Sequence, residues 1–160
     1  MDIPMNLPLF YGKKPALQSW KDLRVSLSKD NSDYEHLKKT VNWWSSAPLS
    51  KNVLNWDVPQ EWPDPWQMIY NGNFDESCLA VGMFYTLLFA NDNRWDPTRL
   101  KLFLILDKGR QLQQIVLDVD DCWLLNLEYN SIINKKTESQ KLLIQNKYTY
   151  NNQKQFQIVN

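Results

Sequence analysis

The stretch GNFDESCLAVGMFYTLLF, Gly72 to Phe89, decides the fold of this chain. From Cys78 to Ala90 the apolar residues go all the way round the helical wheel, and a helix without a polar face is a central, buried one. Gly72 breaks the chain ahead of it, and Asn73 or Asp75 is a suitable helix cap. The sequence therefore predicts a central buried helix that begins just before Cys78.

Length and charge limit the classes of function. The chain has 160 residues, with 18 Lys and Arg against 18 Asp and Glu. This length fits one domain with its own core. A balanced charge lacks the field that attracts nucleic acid or an anionic membrane, so we expect neither as a partner. Eight tryptophans instead favour permanent contacts with other proteins.

The first 15 residues are predicted to form an extended N-terminal arm. Prolines at positions 4, 8 and 15 keep the residues before them out of the helical region. The arm is apolar, so we expect it to pack either on its own domain or on a partner. Its candidate protein-binding residues are Ile3, Leu7, Leu9, Phe10 and Tyr11. The N-terminus does not have the pattern of a secretory signal.

Residues 16–160 are predicted to form a single α+β domain. Two N-terminal helices and the central buried helix pack on a small antiparallel β-meander. The meander is formed by RLKLFLILD, QLQQIVLDV and CWLLNLEYN. Residues 135–160, rich in Asn, Gln and Lys, are expected to add peripheral strands or to form a flexible tail.

The stretch WPDPW, Trp62 to Trp66, precedes the central helix. Pro65 suits the first position of a helix capped by Asp64. Such a stiff segment is either a structural brace or a proline-rich ligand for another domain. We include Trp62 and Trp66 among the candidate protein-binding residues.

This order of elements resembles the transglutaminase-like, bacterial-type cysteine proteases of the papain-like superfamily, over roughly residues 62–130. In that family a Cys opens the central helix, and a His and an Asp or Asn follow on later strands. The family pattern Gly-Asp-Cys-Glu-Asp matches GNFDE, and Phe74 stands at the position where the family has its nucleophilic Cys. The His matches Gln114 in QQIVLDV, and the Asp matches Asn126 in WLLNLEYN. The resemblance thus implies a degenerate scaffold that lacks the Cys-His-Asp triad.

Cys78 is the alternative nucleophile, because residues i and i+4 share a helical face. No histidine follows it, since the single histidine, His36, lies earlier and is expected at the surface or its boundary. Carboxylates activate thiols poorly compared with imidazole. Cys78 is therefore interpreted as a core residue, with a nucleophile of a thiol hydrolase or acyltransferase as the alternative.

We expect no metal and no cofactor. One histidine and two cysteines do not supply the usual zinc ligands. The acidic run DVDD, Asp118 to Asp121, lacks the Gly and the following Glu of a calcium loop, and a hairpin turn explains it better than a cation site.

The function we expect is that of a non-catalytic structural or assembly protein, not an enzyme, whose partners are other proteins of a larger assembly. The stretch WPDPWQMIYNGNFDE resembles small proteins of tailed phages that infect marine bacteria. That resemblance implies a virion component of the neck, head-completion or tail region, located in the virion or the host cytoplasm. The alternatives are a thiol hydrolase or acyltransferase using Cys78, and a soluble regulator or inhibitor.

Overall fold

The structure is a computed structural model that describes residues 12–50 and 54–159. Five candidate protein-binding residues of the predicted arm lie outside the described residues: Ile3, Leu7, Leu9, Phe10 and Tyr11.

Five α-helices occur in the described part of the chain. They are α1 Lys13–Ser26, α2 Asp33–Trp44, α3 Pro65–Asn71, α4 Glu76–Leu88 and α5 Lys135–Glu138. Two 3₁₀ turns, Pro59–Glu61 and Pro97–Arg99, lie between them. None of the helices formed by the described residues is long and apolar enough to span a membrane.

Helix α1 begins three residues earlier than predicted. Pro15 lies in its first turn, where a missing N–H costs little because the first N–H groups of a helix have no partner within it. Helix α3 begins as predicted, with Pro65 at its first position and a capping box between Asp64 and Gln67. Gly72 ends α3 in the left-handed region, at φ 68°.

The strands form one antiparallel sheet. They are β1 Leu100–Asp107, β2 Leu112–Val119, β3 Trp123–Leu125, β4 Ile132–Asn134, β5 Leu142–Tyr150 and β6 Phe156–Val159. Their order across the sheet is β4-β3-β2-β1-β5-β6. Together with the helices this sheet confirms the predicted α+β fold class.

Residues 142–150 differ from the expectation of peripheral strands or a flexible tail. Strand β5 pairs with β1 from Leu102 opposite Tyr148 to Asp107 opposite Leu142, so it lies inside the sheet. Tyr148 is fully buried. The polar residues of β5 hide this position in the sequence, because much of the strand stays exposed. Strand β6 is the edge strand on this side of the sheet, and β4 is the edge strand on the other.

The predicted central helix is confirmed. Helix α4 packs against α2, α3, β1 and β2, and Thr86 is a fully buried polar residue within it. The indole N–H groups of Trp20 and Trp44 both donate to Thr86 Oγ1, each at 2.8 Å. Thr86 Oγ1 in turn donates to the Gly82 carbonyl at 2.7 Å. One hydroxyl thus satisfies two buried tryptophans.

We predicted His36 at the surface or its boundary, and this prediction is wrong: His36 is fully buried. Its Nδ1 accepts from the indole N–H of Trp95 at 3.0 Å. Its Nε2 lies 2.9 Å from the Ser28 carbonyl, which fixes the proton on Nε2. The helical spacing of α2 could not reveal this, because Trp95 comes from a distant loop.

Candidate functional site

The first turn of α4 is the position that the family resemblance assigns to the active site. Asp75 caps this helix: its Oδ1 accepts from the Cys78 N–H at 2.6 Å. Its Oδ2 accepts from the Leu54 N–H at 3.2 Å. The carboxylate therefore fixes both the start of α4 and the loop that passes in front of it.

Phe74, matched to the family's Cys, lies immediately before this cap and is 2% exposed. Its ring packs against Trp44, with the ring centres 6.2 Å apart. Its main chain pairs with Ser50, whose N–H donates to the Phe74 carbonyl at 2.7 Å and whose Oγ accepts from the Phe74 N–H at 3.0 Å. A buried ring thus occupies the position that the family resemblance matches to the nucleophile.

The structure brings the segments that carry Gln114 and Asn126 to the same place. The Asn126 side-chain amide donates to the Glu76 carbonyl at 2.6 Å and to the Ile115 carbonyl at 3.0 Å. The Gln114 amide donates to the carbonyls of Asn126 and Leu127 at 2.9 and 3.1 Å. These bonds tie α4, β2 and the segment after β3 into one network.

Cys78 lies in the first turn of α4 and is fully buried. Burial raises the pKa of its thiol to about 12, and the nearby negative charge of Asp75 contributes to the rise. A nucleophilic cysteine needs an accessible thiolate. The geometry therefore gives Cys78 the role of a core residue. The other free thiol, Cys122, was expected inside a strand but is exposed in the turn after β2.

The acidic residues at the end of β2 and in the turn that follows it form ion pairs. Lys135 Nζ lies 2.6 Å from Asp118 Oδ2 and also pairs with Asp121. Arg99 Nη2 lies 2.7 Å from Asp120 Oδ2. Within residues 12–50 and 54–159, no group of three or more His, Cys, Asp or Glu side chains is placed to hold a metal ion.

A second feature is a surface of exposed rings at the other end of the helical layer. Trp66 and Tyr70 of α3 are 44% and 56% exposed, and Phe89, next to the end of α4, is 38% exposed. We call these three residues the aromatic face. Trp66 packs edge-on against Trp20 with ring centres 4.8 Å apart, and lies 5.6 Å from Phe89.

The two predicted tryptophans of the WPDPW stretch differ in location. Trp66 faces solvent, whereas Trp62 is buried, with its ring 4.6 Å from that of Tyr148. The Trp62 indole donates to the Asn55 carbonyl at 2.8 Å, so Trp62 is the structural brace. Our sequence analysis missed Tyr70 and Phe89; the i, i+4 spacing of Trp66 and Tyr70 on α3 was the signal for the first of them.

A helical layer packed on an antiparallel sheet, with the first turn of the central helix meeting β2 and the end of β3, defines a transglutaminase-like, papain-like fold. Solved structures of Legionella pneumophila LapG, a bacterial cysteine protease of that fold, are similar to this chain. The TM-score is 0.69 at 17% identity, over 87% of this chain and 74% of LapG. An EGTA-treated LapG gives the same values.

A calcium-bound LapG structure matches with the same TM-score and identity, over 88% of this chain and 77% of LapG. No protein-family model and no curated protein matches the sequence. Among the residues that the structure of this chain describes, no group of three or more His, Cys, Asp or Glu side chains could hold a metal ion, at the start of α4 or elsewhere.

The comparison corrects one expectation. We predicted that the chain is not an enzyme, and this is contradicted by its structural neighbours, which are structures of a calcium-dependent cysteine protease. The fold of this chain is protease-like.

Proposed function

We propose that this chain binds another protein through the aromatic face, with its transglutaminase-like domain as a rigid support. The observation that carries this proposal is the exposure of three neighbouring rings: Trp66 and Phe89 lie 5.6 Å apart, and Tyr70 follows Trp66 by one turn of α3. Clustered exposed aromatic residues mark contact sites on soluble domains.

The chemistry of the face suits a protein partner. Trp and Tyr are enriched among the few residues that supply most of the binding energy in protein interfaces. Trp66 is held edge-on by the buried Trp20, whose own indole is fixed by Thr86. A ring that is already ordered loses little conformational entropy on binding. The face is therefore preorganised for contact.

The network at the start of α4 supports the same proposal. Gln114 and Asn126 donate their side-chain amides to main-chain carbonyls of α4, β2 and the segment after β3. Bonds between residues so far apart in sequence stiffen the junction of helix and sheet. The network lies at the opposite end of α4 from Phe89, so it stabilises the domain that carries the aromatic face.

We propose further that the partner belongs to a larger assembly. The sequence resemblance to phage proteins suggests the neck, head-completion or tail region of a virion, with the virion or the host cytoplasm as the location. Mass spectrometry of purified particles tests this: the chain should copurify at a fixed copy number, and its absence from particles would remove the virion role.

Selection from a displayed random peptide library tests the binding function even while the natural partner is unidentified. Peptides selected on the full chain should bind at least tenfold more weakly to Trp66→Ala and Tyr70→Ala. Tyr129→Ala is the matched control, because Tyr129 is 79% exposed but lies between β3 and β4. Urea unfolding verifies that each variant is folded. Equal affinities for all three variants, or no enriched peptide, would overturn the proposal.

A further inference from the structure

A groove of about 420 Å³ runs beside the aromatic face, between α1 and α3. Its apolar lining comes from Leu17 and Trp66, and its polar lining is mainly cationic. The lining residues are Lys14, Leu17, Gln18, Lys21, Arg24 and Trp66. The groove and the aromatic face share Trp66, so one bound segment can reach both.

The cations of this surface have no anionic partners within the described part of the chain. Helix α1 carries Lys13, Lys14, Lys21 and Arg24 but a single carboxylate, Asp22. None of the four cations forms a salt bridge there, whereas Arg94 and Arg99 elsewhere both pair with Asp33.

Arg24 is the most constrained of these cations. Its Nε is buried and has no hydrogen-bond acceptor. Because this atom is buried, a ligand in the groove meets the rest of the Arg24 guanidinium. Arg24 lines the groove and forms no salt bridge among the described residues, so its positive charge is offered to a ligand that supplies acceptors.

The ring faces beside the groove are already covered by cations. Lys13 Nζ lies 3.9 Å from the ring centre of Tyr70. The Arg24 guanidinium lies 4.0 Å from the ring centre of Trp20 and 5.5 Å from that of Trp66. Single-stranded nucleic acid binds aromatic surfaces by stacking bases on open ring faces. Covered faces favour a polypeptide, which can use ring edges and aliphatic contacts.

From this arrangement we propose that the groove binds an acidic segment of a partner protein, with its carboxylates on Lys14, Lys21 and Arg24 and its apolar side chains on the aromatic face. The inference rests on the proposed function and adds the chemical class of the partner. Charge complementarity carries it: opposite charges across an interface select partners and steer their approach.

Fluorescence anisotropy with the full chain tests the inference. The probes are a labelled 12-residue peptide that alternates Glu with Leu, and the same peptide with Gln in place of Glu. We expect the Glu peptide to bind at least tenfold more tightly, and its affinity to fall between about 50 and 300 mM salt. The double variant Lys14→Glu, Lys21→Glu should weaken its binding at least tenfold.

The matched control is the double variant Lys108→Glu, Lys136→Glu, which changes the net charge equally at exposed sites on the β1–β2 turn and α5. It should bind the Glu peptide like the wild type. Both doubles alter exposed side chains without salt bridges among the described residues, so both should fold, which urea unfolding checks.

Three outcomes overturn the inference. Equal affinity for the Glu and Gln peptides removes the acidic preference, yet leaves the proposed function standing if library peptides still depend on Trp66. Tighter binding of a 12-residue oligothymidylate, weakened by the same double variant, assigns the groove to nucleic acid. Binding that appears only after Ile3, Leu7 and Phe10 are changed to Ser assigns it to the chain's own N-terminal residues.

Discussion

The side-chain amide of Asn126 donates to the main-chain carbonyl of Glu76 at 2.6 Å, across 50 residues of sequence. A second bond, at 3.0 Å, reaches the Ile115 carbonyl. Both acceptors are carbonyl oxygens, so this position requires a donor. The resemblance assigns an acidic residue here, and the structure shows why an amide serves in this chain.

Replacing Asn126 by Asp should therefore destabilise the fold by about 2 to 4 kcal/mol at neutral pH, because a carboxylate would face two carbonyl oxygens. Asn126 has φ 71°, and Asp tolerates this left-handed conformation nearly as well as Asn, so backbone strain does not contribute to the loss.

The stability loss of Asn126→Asp should depend on pH. Its carboxyl pKa should be raised in the folded state above the unfolded value of about 3.9. The loss of stability is then complete above the folded pKa and shrinks as the pH falls towards about 3.9. Urea unfolding of variant and wild type at several pH values measures this difference. A constant difference, or none, contradicts the hydrogen-bond assignment.

Thr86→Val should cost about 2 to 5 kcal/mol of unfolding free energy. The substitution keeps the shape but removes the acceptor shared by two buried indoles, Trp20 and Trp44. Thr86→Ser is the control; it retains the hydroxyl and should cost about 1 kcal/mol for the lost methyl group. If both variants lose the same stability in urea unfolding, the shared hydrogen bonds contribute nothing.

Gly82→Ala should destabilise the protein although Ala is the better helix former. A Cβ at position 82 would lie 2.5 Å from the ring of Trp44, and that ring is fully buried. Overpacking costs about 1 to 3 kcal/mol, occasionally more, against about 1 kcal/mol gained in helix propensity. We expect a net loss of up to about 2 kcal/mol. Gly109→Ala, whose Cβ meets nothing closer than 3.4 Å, should change stability by less than about 0.5 kcal/mol.

Cys78 should resist alkylation in the folded protein, while the exposed Cys122 reacts readily. The pKa of the buried thiol, about 12, exceeds the value of about 8.5 for an unfolded cysteine. Folding therefore favours the protonated thiol: this contribution is complete below about pH 8.5 and is lost as the pH rises towards about 12.

Peptide mass spectrometry after iodoacetamide treatment separates the two sites. Cys78→Ala should cost about 1 to 2 kcal/mol for the small cavity and should remove the alkaline loss of stability assigned to this thiol. Rapid labelling of Cys78 below about pH 8 would show an accessible thiolate and reopen its role as a nucleophile.

The central helix, the α3 cap and the first strands were predictable because each depends on local signals. Asp64, Pro65 and Gly72 act through capping and backbone preference, and the apolar run of α4 has no polar face. His36 and β5 were not predictable in this way. His36 is buried by Trp95, and β5 is placed by its pairing with β1, so both depend on contacts between distant segments.

The candidate sites also contain some features that depend on local sequence signals and others that depend on contacts between distant segments. The family pattern placed Phe74, Gln114 and Asn126 on segments that do meet at the start of α4. The hydrogen-bond partners of the two amides are main-chain carbonyls, which no side-chain pattern reveals. The aromatic face was predicted only through Trp66. The i, i+4 spacing on α3 could have added Tyr70, whereas Phe89 joins the face through the packing of α3 on α4.

The most direct test of the central claim places a photoreactive benzoylphenylalanine at position 70, or at position 129 as the control, in the organism that encodes the chain. If the aromatic face binds a protein, illumination should give one discrete crosslinked product from position 70 and none from position 129. No product from position 70, or the same products from both positions, would contradict binding through the aromatic face.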